Sequence, residues 1–180
     1  RAHLVVADCF NTAGELPSAN RHYAMARSHA VSLGDITMQS AILYNIAADS
    51  LSRLSLAHAM AIPSDDELRR VELEVESVTH LDQGAGIASL QSSIDILHAQ
   101  LCVINGQWAD GLSRHNKCMT AACDQGHDRW MAKFLAERAY CASQMGDTSG
   151  ADVDIDECLC KVGLCVDLDD LAITHGRLSA

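Results

Sequence analysis

Only two prolines, Pro17 and Pro63, occur in 180 residues, so most of this chain is free of helix breakers. Aromatic side chains are scarce too, at 4% against 48% apolar residues overall. Sheet proteins lean on Val, Thr, Tyr and Phe. A core of Leu, Ile, Ala and Cys with few rings points instead to closely packed helices. Basic residues gather in no stripe. Residues 1–60 balance four basic against four acidic side chains, 61–100 carry −6, 101–140 carry +1 and 141–180 carry −6, which gives the net charge of −11. That distribution speaks against binding a nucleic-acid backbone, and the acidic stretches read as solvated helix faces. No apolar run approaches the roughly 20 residues of a membrane span.

The usual marks of catalysis are missing as well. The chain has no H-E-x-x-H pair, no glycine-rich phosphate loop with its lysine and no G-x-S-x-G turn. No catalytic residue and no cofactor are expected. Two metal patterns come close and fail. His115, Cys118, Cys123 and His127 fall at about 0°, 300°, 80° and 120° around a helix, too spread for a tetrahedral ion. Asp152, Asp154 and Asp156 open like a calcium loop, but Glu157 stands at the sixth position, where glycine is needed, and Gly163 at the twelfth, where an acid is needed. No metal site is expected. Cys158, Cys160 and Cys165 do not converge either, because Cys160 lies across the helix from Cys158. The eight cysteines sit inside apolar helical patterns, where a free thiol packs as a small hydrophobe. A reduced, cytoplasmic protein is the simplest account.

What the chain does have is helical periodicity broken at intervals. Ala2 to Thr12 reads as a helix ended by Gly14. Pro17 fits a first-turn position, and the helix continues to Ser32. Gly34-Asp35 ends that helix and caps the next, which runs from Thr37 to about His58. A loop holds Pro63. Ser64-Asp65-Asp66-Glu67 starts another helix with a cap and three acids on its positive end; it ends near Gln83, before Gly84-Ala85-Gly86. Further helices are expected over Ile87 to Asn105, Gln107 to Asp124, Asp128 to Met145, Ser149 to Val162 and Leu168 to Leu178. About nine helices joined by short links make an all-α array of antiparallel hairpins. The expected organisation is one domain over 1–180, with hairpins at 1–33, 36–83, 87–125 and 128–163 and a terminal helix at 168–179. The absence of an initiator Met and the sharp ends suggest a piece of a longer protein.

Three turn glycines, Gly14, Gly106 and Gly146, bring the hairpins into register. Seven residues before each stand Ala7, Ala99 and Ala139. Five after come Ala19, Gly111 and Ala151, and twelve after come Ala26, Cys118 and Cys158. Small residues at these places let neighbouring helices approach. Phe10 and Tyr23 add aromatics in the first unit, and Trp108 follows the turn in the third. This pattern resembles the tetratricopeptide repeat, with units that are longer than usual: Gly106 and Gly146 are 40 residues apart against about 34 in the common form. Such longer units resemble the degenerate repeats of large bacterial signalling proteins. The second unit lacks the turn glycine, and no unit ends in the expected proline.

The resemblance implies a right-handed solenoid whose concave face is lined by the first helix of each pair. Carried over position by position, that groove shows Tyr44, Asn45, Ala48 and Leu51, then Ile96, Gln100 and Val103, then Lys133, Glu137, Tyr140 and Gln144. The partner-binding residues singled out are Tyr44, Asn45, Gln100, Lys133, Glu137 and Tyr140. In the family an Asn at the position of Asn45 often holds a peptide backbone, since an amide offers both donor and acceptor. The alternative for Asn45 is a bond to a neighbouring helix, and for Lys133 and Glu137 an intrahelical pair. The implied role is a protein- or peptide-binding module of a bacterial regulatory protein, its partner another protein, a peptide or a second copy of the chain. A small-molecule-sensing or dimerising module that controls an attached output domain uses the same scaffold.

Overall fold

The computed structural model describes residues 1–60, 65–86, 90–125, 130–164 and 168–179. Among them it is all-helical, with no strand. In chain order the helices are α1 (Ala2–Thr12), α2 (Leu16–Ser32), α3 (Ile36–Met60), α4 (Asp65–Ala85), α5 (Gln91–Ile104), α6 (Trp108–Gln125), α7 (Met131–Gln144), α8 (Thr148–Lys161) and α9 (Leu168–Leu178). A short 3-10 turn, Val162–Leu164, follows α8. No helix among the described residues is long and apolar enough to cross a membrane.

The turns explain where the helices stop. Gly14, Gly106 and Gly146 have φ of +75°, +69° and +82°, the left-handed region that costs an L side chain energy. At each, the next residue's N–H reaches back five residues to close the helix end: Glu15 to Phe10 at 2.8 Å, Gln107 to Cys102 at 2.8 Å and Asp147 to Ala142 at 2.9 Å. Asp35 then accepts from Met38 N–H at 2.9 Å to start α3, and Asp147 from Gly150 N–H at 2.9 Å to start α8. The helix expected to end near Gln83 instead runs on through Gly84 to Ala85. A mid-helix glycine costs only about 1 kcal/mol, and the left-handed residue that ends α4 is Gly86. Ser64, Pro63 and the start of the expected helix at Ile87 lie outside the described residues.

Backbone contacts divide the chain into two compact units. The first comprises Arg1–Ser50 and Arg70–Ile94, the second Leu51–Arg69 and Asp95–Ala180. In the first, α1 packs along α2 over a core of Ala7, Ala19, Tyr23, Ala26, Ala30 and Ile42. Four of these lie at 19, 23, 26 and 30, one stripe of α2. In the second, α6, α8 and α9 all pack against α7, and residues Met131 to Glu137 are buried around the whole circumference of that helix. Small side chains permit this. A carbon added to Gly111 of α6 would meet Cys141 Sγ at 3.2 Å and Val103 Cγ2 at 3.3 Å. All nine small-residue positions read from the three turns are buried. A helix enclosed on every side must also hide its polar residues, which places Lys133 and Glu137 inside.

Candidate functional site

Apart from Gln100 of α5, the residues singled out from sequence fall into two clusters, one in each unit. In the first unit, Asn45 sits on α3 and its amide donates to Asp8 Oδ1 of α1 at 3.0 Å. The same carboxylate oxygen faces the Tyr23 hydroxyl of α2 at 2.8 Å, which also lies 2.8 Å from Asp49 Oδ2, one turn beyond Asn45. A phenol has one proton, so it serves one carboxylate at a time. Burial first, and then the two carboxylates, hold the Tyr23 phenol far above its ordinary range. Tyr44, half-buried next to Asn45, is itself engaged and not free. Asn45 is therefore tied to a neighbouring helix.

Tyr23 also forms part of the wall of a groove of about 630 Å³ between α2 and α3, lined by Asn20, Ala24, Arg27, Ser28, Val31, Ser32 and Ile46. Asn20, Ala24, Arg27 and Val31 are exposed and share one face of α2 by helical spacing. Helix α2 carries Arg21 and Arg27 and no acid. Met25, Val31 and Leu33 add exposed apolar surface on or just beyond it.

The second cluster gathers around α7 and α9. Lys133 and Glu137 are buried, as is Gln100 on α5, and Tyr140 is half-buried. Lys133 and Glu137 do not pair with each other as their spacing suggested. Lys133 binds Asp170 of α9, and Glu137 Oε2 accepts from Arg177 Nε at 3.1 Å. Arg177 Nη1 lies 2.7 Å from His58 Nδ1, and its guanidinium stacks 4.7 Å over the Tyr140 ring. Trp108 meets the same ring edge-on, with centroids 5.5 Å apart. Burial pushes the Glu137 carboxyl up, against the pull of Arg177 and Lys133. Burial and the nearby Arg177 push the His58 ring down, so its Nδ1 is an acceptor. Glu137 Oε1 and Arg177 Nη2 are both buried without a partner. Nη2 and Nε–H share one edge of the guanidinium, so the pair is a side-on fork closed on one prong only.

Other candidate groups are interior. His115 is fully buried and neither ring nitrogen has a partner; burial, with Lys133, Arg138 and Arg177 nearby, pushes it down to about 3. Burial also raises the Cys118 thiol to about 11 and that of Cys141 to about 12. Cys123 and His127 of the sequence pattern lie outside the described side chains. Among the described residues no three His, Cys, Asp or Glu assemble as metal ligands.

Sequence reasoning missed the partners: Asp8 for Asn45, with Tyr23 and Asp49 bonded beyond it, and Asp170 and Arg177 for Lys133 and Glu137, with His58 beyond Arg177. One signal was available. Arg177 has Ile173 and Thr174 one turn before it, so no acid of its own helix serves it there. No protein family, no curated protein and no solved structure matches this chain.

Proposed function

We propose that the chain is a helical-hairpin interaction module resembling the tetratricopeptide type, holding a peptide or partner helix in the groove along α2, the second helix of its hairpin, and not along the first helices that the resemblance implies. The groove is the observation that carries this reading. It combines apolar wall residues, Ala24, Val31 and Ile46, with the hydrogen-bonding groups of Asn20, Ser28 and Ser32 and one cation, Arg27. Amphipathic helices dock into such grooves through residues one turn apart. A partner with apolar residues on one face and an acid opposite Arg27 fits it best. The repeat reading rests on the sequence, on the three turn glycines and the nine small residues placed about them. Selection of displayed peptides on the immobilised chain tests the proposal. Acidic amphipathic sequences are expected to enrich on the parent, and to be lost on a variant carrying Arg27→Glu and Val31→Asp with an unchanged melting temperature. Peptides retained equally by parent and variant would place binding elsewhere.

The groove volume also falls within the roughly 300–1,000 Å³ typical of small-molecule sites, which favours a ligand-sensing module as the second reading. That reading expects a compound-dependent rise in melting temperature, absent in the same variant, and no enriched peptide.

A further inference from the structure

Three histidines meet on the α1–α2 hairpin. His3 of α1 and His22 of α2 bring their Nδ1 atoms to 2.9 Å, with ring centroids 5.1 Å apart. Both rings are braced from behind. His29, two turns along α2, stacks on His3 at 5.8 Å and 5°, and Phe10 stacks on His22 at 5.5 Å and 18°. Phe10 is anchored against the core of the first unit. The two facing nitrogens hold one hydrogen between them in the metal-free chain, one ring donating and the other accepting. When both rings carry their hydrogen on Nε2 instead, the two Nδ1 lone pairs face each other across the 2.9 Å gap.

From this arrangement we propose that His3 and His22 form a binding site for a divalent transition-metal ion of the zinc class. Imidazole is a ligand of choice for such ions. Two nitrogens at the usual zinc distance of about 2.0–2.1 Å from a tetrahedral ion lie roughly 3.3 Å apart, within half an ångström of what the rings already offer. The stacked neighbours fix the orientation of both rings, so little freedom is lost when the ion arrives. No third His, Cys, Asp or Glu completes the set among the described residues, so water fills the remaining positions and the site stays open to an incoming ligand. The ion bridges α1 to α2 and so stabilises the hairpin in the way a bound ligand stabilises any folded state.

Zinc chloride titrated into the full chain under reducing conditions, followed by calorimetry and by thermal melting, tests this. The parent is expected to bind one zinc equivalent that is lost, or weakened about tenfold or more, in His3→Ala and in His22→Ala alike. Both variants are also expected to lose the zinc-dependent gain in melting temperature while keeping the zinc-free melting curve. His175→Ala, exposed on α9, is expected to keep both the equivalent and the gain, which separates this site from binding at scattered surface groups. The proposal is overturned if the two variants retain every zinc equivalent of the parent, or if only one of them loses it. In either case the 2.9 Å contact is a hydrogen bond alone.

Discussion

Neither ring nitrogen of His115 has a hydrogen-bond partner, although the side chain is fully buried. Its pKa falls from 6.5 to about 3 through burial, with repulsion from Lys133, Arg138 and Arg177 added. Between these two values the unfolded chain takes up a proton that the folded chain refuses. Stability is therefore greatest above pH 6.5 and falls as the pH drops toward 3, by at most about 1.4 kcal/mol per pH unit from this residue. His58, also lowered, works in the same direction. The variant His115→Leu is expected to be more stable than the parent at pH 7 by about 1–3 kcal/mol, since it removes two unsatisfied polar atoms from the interior. It is also expected to flatten the acid limb without abolishing it. Urea unfolding at pH 7 and pH 4.5 measures both effects, and equal losses in parent and variant would show that the imidazole is hydrated or charged after all. His115 attracted notice in the sequence as part of a metal pattern; that it is a buried ring whose nitrogens have no hydrogen-bond partner follows from packing that no spacing reveals. Glu137 makes the same point. Its neighbour at i−4, Lys133, is the pairing that the sequence offers, yet its partner is Arg177, forty residues on.

Helix by helix, far more was legible, because turns and caps are local chemistry. Gly14, Gly106 and Gly146 mark helix ends in the sequence, and each takes the left-handed conformation that explains why glycine stands there. The alternation of small residues about those glycines likewise reads directly as close approach of helices. The end of α4 was misplaced by two residues because Gly84 and Gly86 look alike in a sequence, and only the second leaves the helical region. Two glycine variants separate the two uses of the residue. Gly146→Ala meets open space but a φ of +82°, so it is expected to cost about 1–2 kcal/mol in backbone strain. Gly111→Ala keeps helical backbone but presses on Cys141 and Val103, and overpacking of this kind costs about 1–3 kcal/mol. Truncating the obstacle should tell them apart. Adding Cys141→Ala is expected to recover part of the Gly111→Ala loss in a thermal-unfolding cycle and none of the Gly146→Ala loss. Equal recovery in both would mean that the tight contact at Gly111 is not what limits its substitution.

At the scale of the whole molecule, the two compact units are not consecutive stretches of chain, and hairpin counting from the sequence did not anticipate this. Residues 51–69 belong with 95–180, for reasons visible at their contacts. His58 accepts from Arg177 at 2.7 Å, and Gly176 of α9 lies so close to α3 that a side-chain carbon there would sit 2.7 Å from Ala59 Cβ. Leu51, Leu54 and Ser55 of the same segment are buried. A fragment that begins at α5, residues 90–180, therefore loses a helical segment that its own unit needs. It leaves Arg177 Nη1 without its acceptor, beside an Nη2 that already lacks one, and an unpaired buried donor on a charged group is among the costlier defects a fold can carry. Residues 51–180 keep these contacts. The expected result is a cooperative thermal transition by circular dichroism for 51–180 and a broad or absent one for 90–180. A His58→Ala change should move 51–180 toward the behaviour of the shorter fragment. If instead 90–180 melts as sharply and as high as 51–180, the end of α3 contributes nothing to that unit, and a unit boundary between α4 and α5 is the true one.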